Sequence, residues 1–191
     1  GIPHATLKLK VEASEESGSP DLPSHLVSLA DRIGTPSLVV CLDSGAGDWD
    51  HLWLTTSLRG VIVATLDVAV SSAGVHSGDA GGIIPSSFRI ARNLLDRISD
   101  SATGKIILEQ LWTQIPQQRI EQAEKAALIL GDEIHSKFPL LDGVSPNDGD
   151  LRELILNRTW RPAFEVTGVD GAPACADGGN TLRTNTKLKL S

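Results

Sequence analysis

Leu58-Arg-Gly-Val-Ile-Val-Ala-Thr-Leu-Asp-Val-Ala-Val-Ser-Ser72 is the stretch on which the fold turns. Val61, Val63, Thr65, Val68 and Val70 give it the β-branched texture of pleated, extended chain, and it predicts a long strand over 58–72. A glycine-rich turn follows from Gly74 to Gly82. Phe88, Ala91, Leu94, Leu95 and Ile98 then recur at helical spacing and predict an amphipathic helix over 84–98. Ile120, Ala123, Ala127, Leu128 and Leu130 mark a second helix within 116–138, and a shorter one is expected over 148–157. Two further strands are expected near 163–168 and 184–191. Residues 59–191 therefore read as an α+β layer, an antiparallel sheet with helices on one face.

Toward the N-terminus the texture differs. Leu7, Leu9 and Val11 alternate with polar residues and predict a strand over 5–11. Ser19-Pro20 has the chemistry of a helix start, and the helix is expected to run to Ile33, ahead of Gly34 and Pro36. Ser37-Leu-Val-Val-Cys-Leu42 is a near-continuous apolar run, expected to be a strand buried on both faces. Strand, helix and buried strand make a βαβ unit with a right-handed crossover. Arg59-Gly60 is the expected boundary between residues 1–58 and 59–191. The first segment is too short to bury both faces of 38–42. Cover is therefore expected from a partner chain, from further protein or from rearrangement.

The 191 residues carry 17 Lys+Arg against 24 Asp+Glu, a formal charge of −7, with −5 of it in residues 1–58. This acidity, without a basic stripe or arm, argues against nucleic acid and anionic membranes as partners. No apolar run is long enough for a membrane-spanning helix. Two cysteines far apart, Cys41 and Cys175, make no disulfide framework and suit a reducing, cytoplasmic setting. Cys41 is expected in the core and Cys175 in a loop. Trp49, Trp53, Trp112 and Trp160 are expected to pack rather than to stack bases. The chain opens on Gly1 and contains no Met, so it is expected to be an internal piece of a longer protein.

Three positions carry chemistry. Glu15-Glu16 is expected at a strand exit, where neighbouring carboxylates of extended chain point to opposite sides. One can then bind a metal while the other acts on water. A solvated acidic pair near a helix start is the alternative. Asp43 ends the 37–42 run, at the strand edge where open α/β sheets bind ligands, although Asp43-Ser-Gly is also ordinary turn chemistry. His76, flanked by glycines, is expected to expose its imidazole, able to polarise a carbonyl or hold a carboxylate, or to be a lone surface histidine. His4, His25, His51 and His135 show no ligand spacing.

In order and spacing these features resemble one family. Glu12-Ala-Ser-Glu-Glu-Ser-Gly-Ser19, then Asp43, then Leu58-Arg-Gly60 leading to Val75-His-Ser-Gly78 and Gly81-Gly82, are similar to the di-metal zinc exopeptidases. That family includes carnosinase, cytosolic non-specific dipeptidase, aminoacylase and glutamate-releasing carboxypeptidase. Gly168-Val-Asp-Gly171 and Gly179-Asn-Thr-Leu-Arg183 extend the likeness into the family's lid domain. The resemblance implies a partial catalytic, metal-binding domain over 1–58 and a lid or dimerisation domain over 59–191. The long helical segment 116–157 resembles the dipeptidase branch more than the desuccinylase branch.

The resemblance also implies roles. Glu15 matches the general base acting on a metal-bridging water. Glu16 and Asp43 match ligands of the two divalent metals, zinc with manganese or cobalt as alternatives. His76 matches the lid histidine that reaches across a homodimer to stabilise the oxyanion, and Asn180 and Thr181 fall where the lid contacts substrate. The family's His-x-Asp motif, bridging aspartate and last histidine ligand have no counterpart here. Two carboxylates alone do not make a catalytic zinc site, so this chain by itself is expected to be inactive. The implied activity of the parent is hydrolysis of dipeptides or N-acyl amino acids. Two alternatives stand beside it, a non-catalytic dimerisation module and a deacylase or carbamoylase of the same family.

Overall fold

Two short helices, α1 (Leu22–Ser28) and α2 (Ala30–Ile33), are the α-helical structure of residues 1–45. The computed structural model describes residues 1–43 and 45–191, in two units, Gly1–Gly45 and Ala46–Ser191. The expected single helix is broken at Leu29 (φ −103°, ψ 7°), and it starts after Asp21 rather than after Ser19, which sits at φ 50°. The Lys8 ammonium donates to the carbonyls of Arg32 and Ile33, supplying partners to groups that a helix end leaves open.

The expected βαβ unit is absent among the described residues. Neither 5–11 nor 37–42 pairs as a strand. Leu38, Val39 and Val40 are 76%, 71% and 68% exposed, and Leu7 and Leu9 are equally open. An apolar run becomes a buried strand only when neighbouring strands and covering helices exist; among the described residues of 1–45 no strand is present, and the run stays exposed despite α1 and α2. Cys41 is exposed rather than in a core.

The second unit is built on strands β1 (Ala64–Ala69), β2 (Val75–His76), β3 (Val166–Asp170), β4 (Thr181–Leu182) and β5 (Asn185–Leu190). Its helices are α3 (Ser77–Ala80), α4 (Ser87–Leu95), α5 (Gln117–Leu130), α6 (Glu133–Ser136) and α7 (Leu151–Thr159). β5 lies between β1 and β3, antiparallel to both. The register with β1 runs from Ala64↔Leu190 to Ala69↔Asn185, so the expected strand 58–72 is regular only where β5 lies opposite. A register shift between Val166 and Gly168 marks an irregularity in β3.

Alternation along the strands sorts the two faces. Val68 and Leu188 bury against Ala91 of α4, with Leu66, Leu94 and Leu190 beside them. Asp67 and Lys187 form an ion pair at 3.4 Å on the other face. α4 starts where the Ser86 hydroxyl accepts the Arg89 N–H at 3.2 Å, a side-chain N-cap. Within the core the hydroxyls of Ser87 and Thr186 share a hydrogen bond of 2.8 Å, which satisfies both polar groups where water does not reach.

The remaining helices correct the expected single layer. α5, α6 and α7 pack on one another around Ala123, Ala127, Ile134, Ile155 and Leu156, whereas α4 is the helix that covers the sheet. Asp150 caps α7 by accepting the Arg152 N–H at 2.8 Å. Arg59 closes its other end by donating to the carbonyls of Asn157 and Arg161, at 3.2 and 3.0 Å. Trp49 is fully exposed and makes no core, unlike the half-buried Trp53 and Trp160. Among the described residues no helix is long and apolar enough to cross a membrane.

Candidate functional site

The β2–β4 ribbon brings together residues far apart in the chain. Val75 pairs with Leu182 and His76 with Thr181, and the Ser77 N–H donates to the Asn180 carbonyl at 2.9 Å. The ribbon is a separate two-stranded sheet, and Val70 and Ser71 donate to the Thr184 carbonyl, between β4 and β5, at 2.8 and 3.3 Å. Gly74 lies close to this pair: a Cβ there would be 2.9 Å from the Thr181 methyl, so that side chain would have to shift. His76, Asn180 and Thr181 are all exposed. Two of the expected site residues, His76 and Thr181, therefore face each other in this ribbon, with Asn180 immediately before β4.

His76 also terminates β2 and caps α3. Its Nδ1 accepts the Gly78 N–H at 3.0 Å. With Nδ1 as acceptor, the neutral ring carries its proton on Nε2. That leaves one N–H donor directed away from the cap, the polarity a developing oxyanion requires.

Arg183 stands directly after β4. It is exposed, and its Nε donates to the Gly171 carbonyl at 2.8 Å. Gly171 has φ +91°, and a Cβ there would lie 2.5 Å from the Asn185 carbonyl oxygen, so no other residue fits without shifting β5. The legible signal was the motif itself, Gly179-Asn-Thr-Leu-Arg183, which ends on this residue.

Glu15 and Glu16 belong to the first unit. They do not leave a strand but form a 3-10 turn, Glu15–Ser17, closed by Ser17 N–H to Ser14 O at 3.1 Å and Gly18 N–H to Glu15 O at 2.8 Å. Successive side chains of such a turn diverge by about 120°, so the two carboxylates still aim apart, and both are exposed. Beside them, Glu12 is held below the usual carboxylate range first by the Lys10 ammonium, which donates to its Oε2 at 2.8 Å, and then by the nearby Ser19 hydroxyl. Asp43 is exposed, and Ser44 of the Asp43-Ser-Gly turn lies outside the described residues.

A second cluster was not foreseen. The Asp48 carboxylate accepts the N–H groups of Asp50 and His51 at 3.1 and 2.8 Å, the His51 ring at 2.7 Å and the Trp53 indole at 3.2 Å. Loss of water raises its pKa, but these donors outweigh that and hold it below the ordinary value. The signal was an aspartate followed two and three residues on by free amides, the chemistry of an Asx turn.

Among the described residues no group of three or more His, Cys, Asp or Glu is placed to hold a metal ion. Zinc sites take three or four protein ligands, usually including His or Cys. The described residues therefore do not fit a zinc centre by themselves, and Glu16 and Asp43 are at most part of one.

The chain shares its fold with two solved dipeptidases. Human carnosine dipeptidase 1 superposes with a TM-score of 0.52 at 18% identity, over 67% of this chain and 27% of that one. The dipeptidase Dug1p from Saccharomyces cerevisiae superposes with a TM-score of 0.58 at 18% identity, over 94% of this chain and 37% of that one. This chain thus spans well under half the length of either enzyme. No protein-family model and no curated protein matches it.

Proposed function

We propose that this chain is part of a metal-dependent peptidase of the di-metal zinc exopeptidase family, hydrolysing dipeptides or N-acyl amino acids. The observation that supports it most is the pairing of His76 with Thr181, beside Asn180, in a chain with the fold of two dipeptidases. In this reading residues 1–58 are a partial catalytic domain and 59–191 a lid through which two copies pair. Nε2–H of His76, from the other copy, donates to the carbonyl oxygen as it gains charge. Asn180 and Thr181 position the substrate against it. Glu15 takes a proton from the attacking water and returns it to the leaving amine. Glu16 and Asp43 contribute to a centre for divalent metal ions, zinc foremost, whose remaining ligands lie outside the described residues. The setting proposed is cytoplasmic.

A panel of dipeptides, N-acyl and N-carbamoyl amino acids tests this on the full-length protein. Hydrolysis of dipeptides or N-acyl amino acids, lost to a chelator and restored by zinc, is expected. Preference for N-carbamoyl substrates would replace the peptidase reading by a carbamoylase one. No hydrolysis of any of them would overturn it.

A further inference from the structure

We infer that Glu12 is a positioning residue for the proposed base: folded back inside its loop, it links Lys10, before the Glu15–Ser17 turn, to Ser19 after it, and so fixes the direction in which Glu15 projects. The inference rests on the peptidase reading above. Three carboxylates, Glu12, Glu15 and Glu16, stand close together in sequence, and the structure treats them differently. Glu15 and Glu16 are exposed, whereas the Glu12 side chain is only 18% exposed. Its Oε2 accepts from the Lys10 ammonium at 2.8 Å. Its Oε1 is buried and takes no hydrogen bond among the described residues.

Buried polar oxygens are normally partnered, and a carboxylate kept inward in an exposed segment calls for a function. The donor at hand is the Ser19 hydroxyl, near enough to lower the pKa of the Glu12 carboxyl. Ser19 is also where the loop needs holding. It sits at φ 50°, directly after Gly18 at φ 87°. A serine keeps to that left-handed region only when its surroundings impose it. The Ser14 carbonyl accepts the N–H groups of both Ser17 and Ser19, at 3.1 and 3.0 Å, so one acceptor couples the placement of Ser19 to the shape of the turn. Glu12 lines a cleft with Ser14 and with Asp21, Leu22 and His25 at the start of α1, on the inward side of the loop. With Lys10 balancing Glu12, the charge left facing outward is that of Glu15 and Glu16.

The test uses the full-length protein at saturating zinc, where weaker metal binding does not limit the rate. Glu12→Ala is expected to lower kcat for dipeptide hydrolysis by about 10–100-fold, with the urea midpoint close to the parent's. Glu12→Gln, which retains one acceptor oxygen in the same place, recovers part of that loss. A role in folding alone would lower the urea midpoint and leave kcat of the folded, zinc-loaded enzyme unchanged. A fall in kcat smaller than about tenfold overturns the inference. Where Glu12→Ala does not fold, Ser19→Ala replaces it under the same criterion. If the unsubstituted protein hydrolyses no dipeptide, the peptidase reading fails, and amide exchange read by NMR then decides. Exchange at Ser19 that quickens in Glu12→Gln relative to Leu29 supports the clamp, and an unchanged ratio overturns it.

Discussion

His76 and Thr181 face each other across the ribbon of β2 and β4, and the bond from Ser77 N–H to the Asn180 carbonyl locks that register. The pairing is carried by the sheet rather than by a free loop, since Thr184, between β4 and β5, accepts from Val70 and Ser71. In the proposed reaction His76 is the transition-state donor, and a donor is effective only near the position the oxyanion will occupy.

His76→Ala in the full-length protein should therefore lower kcat by about 10²–10³ with a smaller change in KM, the signature of an interaction made mainly in the transition state. The side chain is exposed, so the urea midpoint should be nearly unchanged. Steady-state kinetics beside denaturation curves separates the two effects.

Gly74→Ala should act on the same pair from the other side. The new methyl would meet the Thr181 Cγ2 at 2.9 Å, so Thr181 must rotate or the ribbon must open. Amide exchange at Ser77, whose N–H is bonded to Asn180, is expected to speed up while exchange at Val68 stays slow.

The Ser87–Thr186 hydrogen bond tests how the sheet is tied to α4. Ser87→Ala leaves the Thr186 hydroxyl buried without this partner, a loss of about 1–3 kcal/mol. Adding Thr186→Val should recover part of that loss, because no orphaned hydroxyl remains. Urea unfolding of the two singles and the double gives the coupling energy directly.

Acid sensitivity follows from Asp67. The Asn185 amide, at 2.9 Å, and then Lys187 hold its carboxyl below the usual range against a smaller effect of lost water. A depressed folded-state pKa stabilises above the unfolded value, about 3.9, and that contribution disappears as pH falls through the folded-state value. The stability difference between the parent and Asp67→Asn should thus shrink as pH drops from about 6 to about 3, read from urea midpoints across that window.

The strands β1, β3 and β5 and the helices α4, α5 and α7 were legible because their apolar residues alternate or recur at helical spacing, whereas β2 and α3 lie in the stretch read as a glycine-rich turn and β4 is too short to show a pattern. The breadth of β1 was not legible, since Val61 and Val63 have the composition of a strand but no β5 residue opposite. The run Leu38–Leu42 failed for a related reason: apolar sequence specifies burial only when something is there to bury it. At the site, the exposure of His76 could be read from its glycine surroundings, but its pairing with Thr181 is a long-range register that periodicity does not encode.

Glu15→Gln in the full-length protein is the most direct test of the central claim. The substitution keeps the shape of the 3-10 turn at Glu15–Ser17 and removes the base. The account predicts that dipeptide hydrolysis falls by about 10²–10⁴, while bound metal, measured on the same preparation, stays at the parent's level. Hydrolysis surviving in Glu15→Gln at the parent's rate would contradict it.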